Sequence, residues 1–486
     1  MIGMQQIAEI ANRQPDAIAL EMGQSLLTWK EYEKAVRELL PWFSKTMQGR
    51  SDSVIIEADA SILTFILASI FSSLKVPWVA LDPGKPQHVR DAQVQQVEPV
   101  LVVRDGQSGD LSISVVSDGT VHVFSEIPKI EDEVSIPDNR EFRALGFTSG
   151  TTGVPKMVIR TEPSEARRNA NFIDMFGFDD TDRFLLCLPL SHASGHGWAR
   201  TFLAAGGTVV ICEAEPSRIA EEILENEITA SLLVPPVLEK VLDCIRQEYG
   251  KSRVPNHLKF LLTGGRHISP AIFARTLQNF GPVLHSYYGT TETGVNAIAS
   301  PIDLMIDPRS SGSVMDGSSV VIVDGHGSEI QPGEVGRIVI SSYMCAEAYS
   351  SGPIPSVIID NRSYVVTADI GVLAADGSLS VLGRANVNVS PELCGDLIGY
   401  EHDLLLLPFV VNTAVAVDVD MNRVDVFLVT DERSGVDEFL LRYLAQKMGQ
   451  LRCVCLPIDV TIVRELQYSK TGKFDVPKTQ SASCSK

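Results

Sequence analysis

Cysteine and histidine are scarce in this chain of 486 residues, which contains eight cysteines and nine histidines. The closest two cysteines, Cys453 and Cys455, are separated by one residue, whereas zinc knuckles and thioredoxin-like motifs have two between their cysteines. This pattern argues against a structural zinc site and against a disulfide framework. Because disulfides follow the redox compartment, we expect reduced thiols and a cytoplasmic protein.

Long hydrophobic runs are also missing. The most apolar stretch, residues 62–74, is too short to cross a bilayer and is interrupted by one threonine and three serines. It therefore predicts a buried helix. The first residues, MIGMQQIAEIANRQPD, lack a basic segment followed by an apolar one, so we expect neither a secretory signal nor a membrane span.

Basic residues are outnumbered, with 41 Lys and Arg against 61 Asp and Glu, for a net charge of −20 and a pI near 4.9. Such a surface repels nucleic acid phosphates and anionic membranes, so no nucleic acid partner is expected. A site for an anionic nucleotide must therefore be built locally, from backbone N–H groups, a few Lys or Arg side chains and Mg²⁺.

The order of apolar and polar segments predicts an α/β fold with more than one domain, since 486 residues exceed what one core usually supports. Strand-like runs at 53–59, 76–83, 258–265 and 282–289 alternate with helix-like segments such as 237–249. Glycines directly after such strands mark the places where ligand loops lie.

Two regions differ from this alternation. Residues 95–140 alternate apolar and polar residues between Asp-Gly turns, which predicts a small antiparallel subregion. A second boundary at 383–388 separates a small β subdomain from a helix-like segment, a β-like pair and a further helix. We therefore predict a large domain at 1–384, built of α/β subdomains with a small β subdomain, and a small α+β domain at 385–486.

The strongest local signal is FTSGTTGVPK at 147–156, directly after a short strand-like segment. A loop of glycines and hydroxyl residues can surround phosphates with N–H and O–H donors, and Lys156 adds a point charge. The loop is not a Walker A motif, because Val154 and Pro155 separate Gly153 from Lys156. Taken alone, the string is equally compatible with a surface loop that has no ligand.

Three more strings follow in order: YYGTTETG at 287–294, TADIGVLAADGSLSVLGR at 367–384 and LQYSKTGKFD at 466–475. Together with the loop at 147–156, they resemble the signature of the AMP-forming adenylating enzymes. These are acyl- and aryl-CoA synthetases, adenylation domains of nonribosomal peptide synthetases, and luciferase. The resemblance runs from about residue 27 nearly to the end of the chain.

The resemblance implies an ATP site. Tyr288 would stack on adenine, Thr291 would bind the α-phosphate and Glu292 would hold Mg²⁺. Asp369 would accept the ribose hydroxyls, with Arg384 nearby, although an Asp–Arg pair can also be purely structural. The nucleotide-binding residues implied in this way are Thr148, Ser149, Gly150, Thr151, Thr152, Gly153, Lys156, Gly264, Gly265, Arg266, Tyr288, Gly289, Asp369 and Arg384.

The same resemblance makes Lys473 the catalytic lysine, acting with Thr291 and Glu292. Its ammonium group would hold the substrate carboxylate against the α-phosphate, where negative charge builds up in the transition state. The C-terminal domain, which carries Lys473, is expected to be mobile and to rotate between two half-reactions about a hinge at Asn386.

The acyl pocket is expected to be bordered by His192, Trp198 and Asn296. An isolated histidine such as His192 is more often structural, and the pocket suits a short acyl or an aromatic acid equally well. An α-amino acid is disfavoured because SHASGHGWART contains no aspartate to hold an amino group.

Several positions depart from the family pattern. Thr-Ala-Asp stands for Thr-Gly-Asp at 367–369, Gly-Gly-Arg for Gly-Gly-Ala at 264–266, and Met157 for the usual glycine. After the hinge, Ser390 and Leu393 occupy the places of a Lys and a Gly that contact the thiol arm. The adenylation half is therefore better matched than the thioester half.

Three functions follow from this comparison. The first is an acyl- or aryl-acid ligase of fatty or aryl acid metabolism that uses ATP, Mg²⁺ and CoA. The second transfers the acyl group to the phosphopantetheine of an acyl carrier protein. The third is a nucleotide-binding protein without catalysis, against which the intact Lys156, Glu292, Asp369 and Lys473 argue.

Overall fold

The computed structural model describes an α/β protein. It covers residues 1–47, 53–105, 111–117, 120–124, 143–148, 155–250, 254–384, 389–418, 420–431, 435–468, 474 and 479. None of the helices within these ranges is long and apolar enough to pass through a membrane.

The helices of the described ranges are α1 Met4–Arg13, α2 Trp29–Thr46, α3 Ile62–Ser73, α4 Gln87–Val97, α5 Glu162–Phe176, α6 Ala193–Ala205, α7 Pro216–Glu225, α8 Pro235–Tyr249, α9 Pro270–Phe280, α10 Pro301–Ile306, α11 Pro391–Cys394, α12 Leu397–Leu405 and α13 Glu438–Leu451.

The first strands are β1 Ile18–Met22, β2 Ser25–Thr28, β3 Val54–Glu57, β4 Trp78–Leu81, β5 Leu101–Asp105, β6 Leu111–Ser117, β7 Thr120–Phe124, β8 Arg143–Phe147, β9 Met157–Thr161, β10 Arg183–Leu186, β11 Thr208–Ile211, β12 Ala230–Leu232 and β13 Phe260–Gly264. The others are β14 Leu284–Thr290, β15 Gly294–Ala299, β16 Ser313–Val314, β17 Ser318–Val323, β18 Gly336–Ser342, β19 Ala348–Tyr349, β20 Ser356–Ile359, β21 Arg362–Leu373, β22 Leu379–Arg384, β23 Val410–Asp418, β24 Arg423–Thr430 and β25 Ile458–Ile462.

The chain separates into two compact units. Unit 1 contains Met1–Leu232, Val254–Leu261 and Met344–Ile354, and unit 2 contains Leu233–Arg253, Leu262–Tyr343 and Pro355–Lys486. The predicted domain boundary after residue 384 stays a prediction.

Unit 1 contains the expected buried parallel strands. Strand β3 pairs in parallel with β4 and β5, and β10 pairs in parallel with β11 and β12. Strands β5, β6 and β7 form the antiparallel subregion predicted for 95–140, as far as these residues are described. The helix predicted at 62–74 is α3. The preceding residue, Ser61, caps it, because its hydroxyl accepts a hydrogen bond from Thr64 N, and nine residues of the helix are buried. Apolar residues lie on all sides of the helix, and the hydroxyls of Thr64 and Ser73 donate to backbone carbonyl groups, which together explain this burial.

Unit 2 is built from antiparallel hairpins and a small C-terminal layer. Strands β17, β18, β21 and β20 form one sheet, with β22 added to β21. Strand β23 pairs antiparallel with β24, and β24 pairs in parallel with β25. Helix α12 packs on β22 and β23, and buried Tyr400, Leu404 and Val426 belong to the core that joins them. The α/β class predicted from the sequence is confirmed.

Candidate functional site

The two ends of the loop at 148–156 are held together. Strands β8 and β9 pair antiparallel up to Phe147 and Met157, so the loop is a hairpin connection. Thr148 N donates to Lys156 O at 2.8 Å, and Lys156 N donates to Thr148 Oγ1 at 3.1 Å. These bonds fix where Lys156 leaves the sheet. The predicted ligands Ser149, Gly150, Thr151, Thr152 and Gly153 lie outside the described residues.

A glutamine that the sequence did not single out supports the same loop. The Gln96 side chain, on α4, donates to Pro155 O at 2.7 Å and accepts from Met157 N at 3.0 Å. Lys156 is exposed, and its ammonium nitrogen lies 5.1 Å from the ring centroid of Tyr349. The ring face stabilises the cation at this position.

The departure at Met157 has a packing explanation. Its side chain is buried in a cluster with Leu145, Phe147 and Ile55. A methionine at this position fills space beneath β8 and β9, which a glycine would leave empty. The change therefore lies on the core side of strands β8 and β9.

The second string forms the hairpin of β14 and β15. Thr291 and Glu292 lie at its tip, both half-buried. The hydroxyls of Thr290 and Thr293 lie 3.0 Å apart beneath the tip, and Thr293 Oγ1 accepts from Asn296 Nδ2 at 2.8 Å. Asn296 is fully buried, so it supports the tip of the hairpin; its predicted role at the acyl pocket stays a prediction.

Tyr288, Asp369 and Arg384 meet in unit 2. The Tyr288 hydroxyl donates to Asp369 Oδ2 at 2.9 Å, and Arg384 Nε lies 3.7 Å from Asp369 Oδ1. Asp369 and Arg384 are directly opposite each other on β21 and β22. Burial, and then the Asp369 carboxylate, raise the pKa of Tyr288 well above its ordinary value, so the phenol stays a donor.

The Thr367 hydroxyl links the backbone next to Asp369 to the neighbouring strand. Thr367 Oγ1 donates to Ile338 O at 2.7 Å and accepts from Asp369 N at 3.1 Å, which holds the carboxylate at the sheet surface. Asp369 is 6% exposed, so only a small part of it is open to a ligand. The alanine between Thr367 and Asp369 leaves these bonds in place.

Glycine is required at positions where a side chain or the backbone of another segment comes very close. A Cβ on Gly264 would lie 2.2 Å from Tyr287 Cε1, and a Cβ on Gly289 would lie 2.1 Å from Gly294 O. Gly265 has a φ of +78°, which favours glycine. These positions were predicted from the strings, and the reason for each is a close approach or a left-handed backbone.

Arg266 has partners in the C-terminal part of unit 2. It forms an ion pair with Glu401, donates to Thr413 O at 3.3 Å, and its guanidinium carbon lies 5.1 Å from the ring centroid of Tyr468. Its predicted role as a nucleotide ligand stays a prediction, and the structure gives its charge another partner.

His192 and Trp198, the residues of unit 1 that were predicted to border the acyl pocket, contact a helix end and an aromatic core. His192 precedes α6, and its Nδ1 accepts from Ser194 N at 3.3 Å, so it caps the helix. Trp198 is 2% exposed and stacks on Phe172, with ring centroids 4.7 Å apart and an interplanar angle of 7°. It belongs to an aromatic core with Phe178 and Phe260. A pocket role for either residue stays a prediction.

Metal-binding side chains are not clustered in the described part of the chain. Within it, no group of three or more His, Cys, Asp or Glu side chains is arranged to hold an ion. A single carboxylate such as Glu292 still fits Mg²⁺ bound with a nucleotide, because this ion keeps waters and is held mainly by phosphate oxygens. Lys473 and Asn386 lie outside the described residues.

A family profile described as AMP-binding enzyme matches residues 7–350, well over half of the chain. The chain belongs to the AMP-binding enzyme family. The match covers the loop at 148–156 and the hairpin of β14 and β15, so the recognition made from these strings is confirmed.

Known relatives and structures agree with this assignment. The chain is 27% identical over 345 residues to the medium/long-chain-fatty-acid–CoA ligase FadD8 of Mycobacterium tuberculosis, covering 67% of this chain and 60% of that protein. It is 25% identical over 354 residues to the salicylyl-CoA synthase/salicylate adenylyltransferase of a Streptomyces species, covering 70% and 62%. The matches thus span about three fifths of these relatives' lengths.

A solved structure shares the fold over nearly the full length. It is the O-succinylbenzoate–CoA synthetase MenE from Bacillus subtilis in complex with ATP and magnesium ion. The TM-score is 0.77 at 20% identity, with 98% of this chain and 99% of that chain covered. This likeness confirms the predicted fold, a large N-terminal domain followed by a smaller C-terminal one.

Proposed function

We propose that this chain is an ATP-dependent acid–thiol ligase that forms an acyl- or aryl-adenylate and then a thioester with CoA. The observation that carries the proposal is the group formed by Tyr288, Asp369 and Arg384, on the hairpin and sheet that also present Thr291 and Glu292. An aromatic ring fixed by its own hydroxyl beside a carboxylate suits an adenosine, since the ring can stack on adenine while the carboxylate accepts ribose hydroxyls.

The first step joins the acid to AMP. A carboxylate oxygen of the substrate attacks the α-phosphorus of ATP and forms a new P–O bond. The bond from that phosphorus to the oxygen bridging to the β-phosphate breaks, and pyrophosphate leaves with the electron pair. Negative charge grows on the phosphoryl oxygens, so catalysis depends on positioned cations and donors.

Each residue has a separate task in this step. Lys156 and the N–H groups of its loop would bind the β- and γ-phosphates, Thr291 would donate to the α-phosphate, and Lys473 would hold the substrate carboxylate against the α-phosphate. Glu292 would hold Mg²⁺, which when bound neutralises charge on the phosphates. The similarity to a synthetase studied with ATP and magnesium ion supports this choice of cofactor.

In the second step, the thiol sulfur attacks the carbonyl carbon of the adenylate. The C–S bond forms, the C–O bond to the phosphate breaks, AMP leaves, and the thiol proton goes to solvent. Lys473 has to leave the phosphate to open a path for the thiol, which is why we place a hinge at Asn386 and a mobile domain at 385–486. We place this reaction in the cytoplasm, where the thiols of the chain stay reduced.

ATP–pyrophosphate exchange tests the first step. The panel contains short acyl acids, medium- and long-chain fatty acids, and aromatic acids. We expect exchange with one of these classes and its loss by about 10²- to 10³-fold in Lys473→Ala. Lys470→Ala, three residues earlier in the same string, serves as the matched control and should keep most of the exchange. Absence of exchange with every acid, while ATP still binds, would favour the non-catalytic alternative.

The thiol acceptor is tested separately with the acid that supports exchange. CoA and a holo acyl carrier protein are supplied in parallel, and thioester formation is followed by mass spectrometry. We expect acyl-CoA. Transfer to the carrier protein alone would assign the chain to carrier loading.

A further inference from the structure

Arg266 lies in the turn that follows β13, where the family usually has a small residue. The Arg266 side chain is 21% exposed and that of its ion-pair partner Glu401 is 9% exposed. A largely buried pair of this kind is costly to break, because removing one partner leaves the other charge without compensation. The pair therefore fixes a defined contact between this turn and α12.

Glu401 extends the contact into the C-terminal sheet. Its second carboxylate oxygen accepts from Val415 N at 2.9 Å, while Arg266 donates to Thr413 O at 3.3 Å. Both backbone partners belong to β23. The turn after β13, helix α12 and strand β23 are therefore joined through two side chains.

The third partner of Arg266 is Tyr468, which lies five residues before the proposed catalytic lysine in the sequence. The Arg266 guanidinium lies over the ring of Tyr468, and Tyr468 forms an antiparallel bridge with Phe474. Phe474 directly follows Lys473 in the sequence, and its ring lies 5.2 Å from that of Phe427 on β24. Arg266 thus contacts the base of the segment that carries Lys473.

The residues that follow Arg266 and Glu401 in the sequence, His267 and His402, also contact each other. The ring of His267 lies 4.5 Å from that of His402, centroid to centroid, in an edge-to-face arrangement. Two consecutive residues of the turn therefore meet two consecutive residues of α12. This makes the contact a surface of defined geometry, which a single flexible ion pair would not provide.

We propose that Arg266 is a positioning residue for Lys473. By binding Glu401, Thr413 O and Tyr468, it holds Tyr468, which lies five residues before Lys473, against α12 and β23. This inference rests on the proposed function, in which Lys473 acts on the α-phosphate. It also distinguishes Arg266 from the nucleotide ligands, since its charge is used within the protein.

The kinetic test compares Arg266→Met and Glu401→Gln with the wild type in ATP–pyrophosphate exchange. We expect kcat to fall by about 10- to 100-fold in both variants, because small displacements of a catalytic group have effects of this size. The KM for ATP should stay within about twofold of the wild-type value, since no interaction with the nucleotide is removed. Arg266→Lys, which keeps the charge but loses the planar fork, should recover part of the rate.

The matched control is Arg442→Met. Arg442, on α13 of the same unit, also pairs with a glutamate, Glu438, at 2.6 Å, and donates to Val460 O; within the described chain its hydrogen-bond partners do not include the turn after β13. Its removal should leave kcat unchanged. The double variant Arg266→Met/Glu401→Gln should be no slower than the slower single variant, because both remove one shared contact.

A measurement without activity separates this inference from the proposed function. Hydrogen–deuterium exchange should become faster in Arg266→Met over peptides containing 410–416 and 464–468, and should stay unchanged in these two peptides in Arg442→Met, whose own bond is to Val460 O. If the wild type shows no pyrophosphate exchange with any acid, the proposed ligase function is refuted, whatever the hydrogen–deuterium exchange shows. If the function holds but Arg266→Met raises the KM for ATP with kcat unchanged, or changes neither kcat nor hydrogen exchange, the positioning role is refuted.

Discussion

His196, on α6, makes the stability of this protein depend on pH. Its Nδ1 lies 3.3 Å from Leu190 O, and its ring meets Trp78 edge to face at a centroid distance of 6.1 Å. Burial, followed by the positive charges of the N-terminal amino group and Arg168, lowers the pKa of His196 from 6.5 to about 3. The folded state therefore keeps this ring neutral through the mildly acidic range.

Because the pKa of His196 is lower in the folded protein than in the unfolded chain, acid destabilises the fold. Above pH 6.5 the ring is neutral in both states, and its contribution to stability is fully present. As the pH falls from 6.5 towards 3, the unfolded chain binds a proton that the folded chain does not, so the free energy of unfolding decreases. At pH 5 the loss is about 2 kcal/mol, taking about 1.4 kcal/mol per pKa unit. This value is an upper bound, because solvent partly reaches the ring.

The perturbation is His196→Gln, which keeps a hydrogen-bond donor for Leu190 O but does not titrate. Urea unfolding followed by tryptophan fluorescence gives the free energy of unfolding at pH 8 and pH 5 for both proteins. We expect the wild type to lose up to about 2 kcal/mol more than the variant between these two values.

A core variant without a titrating group is the control. Leu203→Ala, on the same helix, should lower stability by the same amount at both pH values, since it removes only buried apolar surface. The reasoning is refuted if wild type and His196→Gln lose stability in parallel as the pH falls.

Two further variants test the site in unit 2. Gly264→Ala should lower the free energy of unfolding by about 1–3 kcal/mol and reduce the rate of pyrophosphate exchange, because the new Cβ would displace the ring of Tyr287. Gly146→Ala is the control, since the nearest atom to its new Cβ would be 3.6 Å away, and thermal unfolding should show a stability close to that of the wild type. Tyr288→Phe should raise the KM for ATP by about 5- to 30-fold, since the Asp369 carboxylate loses its donor, as measured by pyrophosphate exchange; an unchanged KM would mean that this carboxylate does not meet the ribose.

The sequence was sufficient to predict those parts of the site that are local. Thr148 and Lys156 end one hairpin connection, and Tyr288 and Thr291 belong to a second hairpin, so short strings describe each geometry. The contact of Asp369 with Arg384 follows from a hairpin as well, because the turn at 374–378 places them opposite each other. Local spacing fixes such contacts.

Contacts between distant segments could not be predicted in this way. Gln96 lies 61 residues before Met157, and Arg266 lies 135 residues before Glu401, so no local pattern joins the members of either pair. The packing of Trp198 against Phe172 could not be predicted either, because a tryptophan among small residues suits a pocket wall and a packed interior equally well.

The Gln96 amide holds the end of the hairpin connection between β8 and β9, although Gln96 is not part of that connection. Because one side chain bridges Pro155 and Met157, the direction of the second strand is set from outside the connection. Segments of different length or composition could therefore be exchanged between positions 148 and 155 while Lys156 kept its place on the sheet. This makes the connection a natural position for grafting alternative anion-binding sequences, with Gln96 as the residue that such a graft must leave untouched.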